Sequence, residues 1–332
     1  MRFFKRTDAD ASDAIARFWG WWAGAADRVA AAIEAGDPGS MVPEISANVD
    51  QLHKGLAWEL SKGAASRHAL VVSPEGDPAL RPVALTWLAA APARDPAWEY
   101  HASRQPGPLG RLQLDGVDVD LADYRAIAGW DEGRERVDVR LWHPGLTEAS
   151  PSTRMRAAYL FLDNLLGEDS VERWVGAIDL LDDPTGGRTP DELRAEIERR
   201  AAEATGEAWT LMQRSDGALI SVNAAVKPID HAFCQQHLVV TVERGIEHFR
   251  GTHELEAVGE AQDRLADAIV AIGGVSVGHV TERRRRRIHY MCPDAAAARD
   301  TATAWANEHR PYSPSIDVKP DPGWTFRRDL GI

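Results

Sequence analysis

The stretches His68-Ala-Leu-Val-Val-Ser-Pro74 and Ile288-His-Tyr-Met-Cys-Pro293 decide how this chain is read, because each opens the same short pattern. An apolar run ends on a proline. A stretch of helical spacing follows, through Leu80 and Trp87 in the first copy and Ala298 and Trp305 in the second. Asp-Pro-x-Trp closes each copy, at residues 95–98 and 321–324. Short unbroken apolar runs are the pattern of buried strands, and a proline behind one suits the first turn of a helix. The pattern predicts a buried strand, a proline-started helix and a terminal strand announced by Asp-Pro-x-Trp, present twice, and hence two related α/β modules. That inference concerns architecture and names no chemistry.

Outward from the first copy, Ile15, Phe18, Trp19, Trp22, Val29 and Ile33 recur at helical spacing within residues 11–35, and Gly36-Asp37-Pro38-Gly39 stops the run. The polar face sets Asp13, Asp27 and Glu34 against Arg17 and Arg28, which suits packing on a core better than lying on an anionic membrane. Residues 42–49, 56–60 and 68–73 read as an antiparallel meander. Residues 111–143 alternate as half-buried strands do, with a tight turn at Asp115-Gly116. Ser150 or Ser152 is expected to cap a helix from Pro151 with Met155, Ala158, Tyr159 and Leu162 on its buried side, and residues 174–181 read as a further strand.

Asp182-Asp183-Pro184-Thr185-Gly186-Gly187 is the strongest linker signal, and Thr189-Pro190-Asp191-Glu192 opens a charged bridging helix. Beyond it come a hairpin turning at Ser215-Asp216-Gly217, a strand at 238–243, a helix at 253–272, strands at 275–281 and 286–291, a helix at 294–308 and a strand at 315–319. Without the hairpin this order is βαββαβ, the ferredoxin-like arrangement of two helices on one face of a four-stranded antiparallel sheet. The expected fold class is α+β in two modules, with antiparallel sheets and helices on one face. An acidic α+β module spans 1–183, a linker and bridging helix 184–206, and a ferredoxin-like module with an extra N-terminal hairpin 207–332.

The net charge of −13 is unevenly spread: residues 207–332 carry 15 basic and 17 acidic side chains, which leaves −11 for residues 1–206. So acidic a front half repels phosphate backbones, and nucleic acid is not the expected partner. Two cysteines, Cys234 and Cys292, make no disulfide framework, no apolar run has the length of a membrane span, and the start of the chain lacks a signal-peptide pattern. These features point to the cytoplasm, away from a membrane and toward a protein partner, one of basic surface matching the acidic half.

The run Trp209-Thr-Leu-Met, Asp216-Gly-Ala-Leu-Ile-Ser-Val-Asn223, His237-Leu-Val-Val, Thr281-Glu282 before Arg287-Ile-His-Tyr-Met291, and the closing Asp321-Pro-Gly-Trp324 resembles an uncharacterised bacterial family, domain of unknown function 695. The resemblance covers roughly residues 207–330. It implies a fold and no activity. Members of that family look partly like ferredoxin-like regulators that inhibit ribonuclease E, so the resemblance implies a ribonuclease regulator by fold analogy.

Candidate sites are few. Arg283 to Arg287 is the sharpest charge feature, and in a hairpin its alternate members face opposite ways, which leaves Arg284 and Arg286 on one side as a binding pair for a polyanion. His231, Cys234 and His237 stand three residues apart with zinc-ligand chemistry, and His248 and His253 lie nearby. Trp98 and Trp324 are candidate stacking surfaces, read otherwise as core plugs. Asp115, Asp118, Asp120 and Asp123, with Asp182 and Asp183, read as an acidic surface and not as an acid/base pair. Ser73 and Cys292 precede prolines at matching positions and are expected to cap the helices that follow. No glycine-rich phosphate loop is present and no cofactor is expected. The expectation is a non-catalytic binding or regulatory protein, set against a hydrolytic or metal-dependent enzyme whose site is assembled from distant segments.

Overall fold

A computed structural model describes residues 8–243, 252–282, 285–309 and 314–331, with mixed helices and sheets. Two compact units emerge: Met1–Ile127, Arg140–Glu172 and Asp179–Arg194 form one, and Ala128–Val139, Arg173–Ile178 and Ala195–Ile332 the other. No described helix is long and apolar enough to cross a membrane.

The first unit begins with α1 (Asp8–Glu34), α2 (Val42–Leu52), β1 (Ala57–Lys62), β2 (His68–Ser73), α3 (Arg81–Ala89) and β3 (Trp98–His101). In α1, Ile15, Phe18, Trp22 and Val29 are buried as their spacing predicts. Residues 42–49 are not a strand: Pro43 sits in the first turn of α2, and Ile45, Val49 and Leu52 are buried at the spacing of one helical face. Helical period outweighs β-branched composition there. β2 is the buried centre of a three-stranded sheet, antiparallel to β1 and parallel to β3. That parallel pair corrects the expectation of antiparallel sheets throughout, because α3 carries the chain back so that β3 enters in the direction of β2. Trp22 anchors the core, edge-on to Trp98 with ring centroids 4.9 Å apart, and its indole N–H donates to the Tyr100 hydroxyl at 3.0 Å.

The hairpin of β4 (Arg111–Leu114) and β5 (Val117–Asp120) turns at Asp115 and Gly116 with φ of 51° and 82°, as its Asp-Gly sequence predicts. β6 (Arg125–Asp131), β7 (Arg136–Trp142) and β8 (Val175–Leu180) form a three-stranded sheet in that order. Between β7 and β8 run α4 (Pro151–Leu166) and α5 (Glu168–Trp174), and α6 (Pro190–Glu203) follows β8. The Ser150 hydroxyl caps α4 by accepting from the Thr153 N–H at 3.2 Å. The buried stripe of α4 runs through Ala157, Ala158, Phe161, Leu162 and Leu165, which leaves Tyr159 50% exposed instead of buried.

The second unit holds β9 (Trp209–Gln213), β10 (Leu219–Asn223), β11 (Gln236–Glu243), α7 (Thr252–Ala271), β12 (Val275–Thr281), β13 (Arg285–Cys292), α8 (Ala295–Glu308), β14 (Ser315–Pro320) and α9 (Arg327–Leu330). Its six strands form one sheet in the order β14-β11-β13-β12-β10-β9, with every pair antiparallel. On one face Leu238, Val240 and Ile288 pack against Leu265 and Ile269 of α7 and Ala302 and Trp305 of α8. On the other, Val222, Val277 and Met291 are covered by Trp324, Phe326 and Leu330. At the bulge in β12, Gly278 has φ of 158° and passes so close to β10 that a Cβ would lie 2.4 Å from the Ser221 carbonyl oxygen.

The two Asp-Pro-x-Trp copies differ in placement. Asp95 precedes β3 and its carboxylate accepts from the Ala97 and Trp98 N–H groups, whereas Asp321 follows β14 and accepts from those of Thr325 and Phe326. β2 and β3 are neighbours, but β11 lies between β13 and β14. What recurs is a turn that buries a tryptophan, and not one packing unit. Neither Ser73 nor Cys292 caps the helix that follows: Ser73 accepts from the Glu75 N–H in the turn, α3 has no side-chain cap, and Asp294 caps α8.

Removal of the Trp22 indole leaves a cavity against Trp98 and Phe18, so Trp22→Ala is expected to lower unfolding free energy by about 3–5 kcal/mol. Denaturant titration followed by circular dichroism checks this, and a change below about 1 kcal/mol would contradict the central place given to that indole.

Candidate functional site: a carboxylate-lined pocket

The end of β2, the turn before α3, the loop behind β3 and the start of α5 in the first unit converge on one carboxylate, that of Glu168. It is 8% exposed. One oxygen accepts from the Ser73 hydroxyl at 2.5 Å and the Arg104 N–H at 3.1 Å, and the other from the Gly76 N–H at 3.1 Å. Gly167, with φ of 80°, makes the sharp turn from α4 into α5 that brings Glu168 here. A side chain at Gly167 would also meet the Pro106 ring at 2.8 Å. The Glu168 N–H in turn donates to the Arg104 carbonyl at 2.9 Å, so the two residues hold each other by main chain and side chain.

Around this anchor the charges do not balance. Arg104 donates to Glu59 at 2.8 Å and to Asp163 at 3.2 Å. Arg81, only 2% exposed, donates to Asp169 at 2.7 Å and also to Glu172. Burial works against the charge on Arg81, yet Glu172 and Asp169 outweigh it and hold the guanidinium above its ordinary value. Among the described residues bonded in this cluster, Glu59, Glu75, Asp163, Glu168, Asp169 and Glu172 thus stand against Arg81 and Arg104. The excess shows at Asp163: burial, reinforced by the charges of Glu168, Glu59 and Glu75, outweighs Arg104 and lifts its carboxyl to about 6.

Glu75, Arg104, Tyr159, Asp163, Glu168 and Glu172 line a pocket of about 330 Å³, with the half-exposed Tyr159 ring beside the carboxylates. Carboxylates supply acceptors in pairs for a guanidinium or ammonium group, and a phenol ring supplies a cation–π face. The arrangement suits capture of a cationic side chain.

The residues singled out by sequence are elsewhere and apart. Arg286, 8% exposed, points toward the helical side of its sheet and contacts His279 at 2.7 Å, while Arg285 and Arg287 bind Glu282. Arg284, like His248, lies outside the described residues. An inward-facing Arg286 offers no surface to a polyanion. His231 stacks near Trp324, Cys234 is buried with its thiol donating to the Gly273 carbonyl at 3.3 Å, and His237 bonds to His289. Desolvation pushes the Cys234 thiol up to about 11, away from the thiolate that a metal needs. Among the described residues no group of three or more His, Cys, Asp or Glu is placed to hold a metal, because the alternation of β11 and the preceding turn send these three side chains to different partners. Trp98 and Trp324 are 2% and 3% exposed, so neither presents a ring face for stacking; the Trp324 N–H donates to the Cys234 carbonyl at 3.0 Å. Asp115 pairs with Arg156 and Asp120 with Arg111 at the surface. Glu168, Asp163, Arg104 and Arg81 escaped sequence reading because they come from segments tens of residues apart. Their one local trace is Gly167-Glu168 at a helix–helix break.

No family model, curated protein or solved structure matches the chain.

The histidines of the second unit have a consequence of their own. His237 and His289 bond ring to ring at 3.0 Å beneath Phe326, and His237 stacks on that ring at 3.9 Å. Burial, with Lys319 adding to it, lowers His237 to about 4, and burial with His237 and Arg287 nearby lowers His289 to about 3. Both folded values lie below the unfolded one, so the stability they contribute is full above about pH 6.5 and is lost as pH falls toward 4. Between pH 6.5 and 5 the loss is expected to reach about 2 kcal/mol per histidine. Urea titrations at the two pH values check this against His237→Asn/His289→Asn; an equal decline in the double variant would contradict it.

Proposed function

We propose that this chain is a binding protein that recognises a basic segment of another protein, and that the carboxylate pocket of the first unit receives a lysine or arginine side chain from that partner. One observation carries the reading: Glu75, Asp163, Glu168 and Glu172 line one pocket with Arg104 as the single cation among its lining residues, and Asp163, raised by burial with the charges of Glu168, Glu59 and Glu75 adding to it, gains a counter-ion when a cation enters. The charge of −11 over residues 1–206 favours the same partner at longer range and speeds its approach at low salt.

The order β14-β11-β13-β12, with α7 and α8 on one face, supports a ferredoxin-like reading of residues 207–332, the fold that a resemblance to domain of unknown function 695 implies. Regulation of a ribonuclease rests on that analogy.

Binding of an arginine-rich peptide, followed by fluorescence anisotropy, is expected at low salt and to weaken as pH falls through 6, where Asp163 takes up its proton. Asp163→Asn is expected to weaken it about tenfold, about 1.4 kcal/mol, and to flatten that pH dependence. Affinity unchanged by Asp163→Asn, or equal for an acidic peptide, would sink the proposal.

A further inference from the structure

A second pocket, of about 380 Å³, lies within the second unit and has the opposite character. Arg134, Arg136 and Arg327 line it together with Gly176, Ala177, Ala224 and Pro228; no carboxylate is among these residues, and the Asp138 carboxylate beside them accepts from the Ala177 N–H at 2.7 Å. Arg134 is tethered by Asp131 at 2.7 Å and Asp138 at 2.9 Å. Arg136 donates to the Val175 carbonyl at 2.9 Å and Arg327 to the Val226 carbonyl at 2.5 Å. A carbonyl aims the Arg327 guanidinium without neutralising it.

Lys227, next to Pro228 in the chain and 3% exposed, adds another cation. Its ammonium donates to the Glu135 carbonyl at 3.2 Å and sits 3.7 Å from the centre of the Trp174 ring. The Glu135 carboxylate is committed elsewhere, to the Thr205 N–H and hydroxyl and to the Gly206 N–H. Burial, with the charge of Arg136 adding to it, outweighs Glu135 and Asp230 and lowers Lys227 to about 8, and burial with Arg136 lowers Arg327 to about 10.

We propose that this pocket binds a phosphate monoester, with Arg136 and Arg327 gripping the phosphoryl oxygens and Lys227 supplying field from behind. Planar guanidiniums pair with phosphoryl oxygens two at a time, and a dianion offsets more of the clustered charge than a single carboxylate does. The volume exceeds what a bare phosphate fills and falls within the range of small-ligand sites, so the organic part of an ester has room. This proposal uses none of the residues around Glu168 and stands or falls separately from the basic-partner reading.

Calorimetric titration of the full chain at constant ionic strength with glycerol 3-phosphate, inorganic phosphate and succinate tests it. Binding of glycerol 3-phosphate is expected, tighter than succinate and at least as tight as inorganic phosphate, and weakened at least about tenfold in Arg327→Gln. Ala177 is exposed at the rim, so Ala177→Glu places a carboxylate there without disturbing a core and is expected to abolish binding, while Ala177→Gln retains it. Arg111→Gln, an equal charge change in the other unit, is expected to leave it unaltered. No heat from either phosphate at millimolar concentration, equal binding in Ala177→Glu and Ala177→Gln, or succinate binding as well as the ester would overturn the assignment.

Discussion

A buried carboxylate that must be satisfied organises the first unit. Glu168 has lost most of its water, and an ionised carboxyl in that position is tolerable only if donors replace the water it gave up. Ser73, Gly76 and Arg104 supply them from the end of β2, the turn toward α3 and the loop behind β3. Each donor therefore has its backbone placed by the same acceptor. The pocket follows: Asp163, one turn before Glu168 along the helix pair, and Arg104, on the pinned loop, are brought together because Glu168 is held where it is.

The second unit solves a different problem with a different device. Its sheet has two apolar faces, one closed by α7 and α8 and the other by the chain's own last described residues, Trp324, Phe326 and Leu330. Under that second cover His237 and His289 bond to each other, each leaving its other ring nitrogen buried without a hydrogen bond, and the Trp324 N–H donates to the Cys234 carbonyl. Cations gather where Arg327 opens α9, on the short segment that also supplies the cover.

Periodic elements are legible in the sequence. The apolar stripe of α1, the Asp-Gly hairpin, the cap of α4 and the alternation of strands and helices from residue 209 onward all follow from local pattern, because spacing and turn chemistry act within a few residues. Residues 42–49 misled because β-branched residues at helical spacing satisfy either reading until the burial of Ile45, Val49 and Leu52 decides. The Asp-Pro-x-Trp repeat misled in another way: the turn is local and recurs, but whether it precedes or follows a strand is set by which strands pair. Neither pocket was legible at all. Ser73 and Glu168, or Arg136 and Arg327, are close only after long-range pairing, and sequence spacing carries no trace of it.

Glu168 holds three segments at once. Native-state hydrogen exchange on Glu168→Ala measures it most directly, at the amides of Gly76 and Arg104. Loss of a hydrogen bond to a charged group costs about 1.5–3 kcal/mol, so exchange at both amides is expected to quicken together by about 10- to 100-fold, while amides in the centre of β2 stay protected. Unchanged protection at Gly76 and Arg104 in a folded variant would contradict the account.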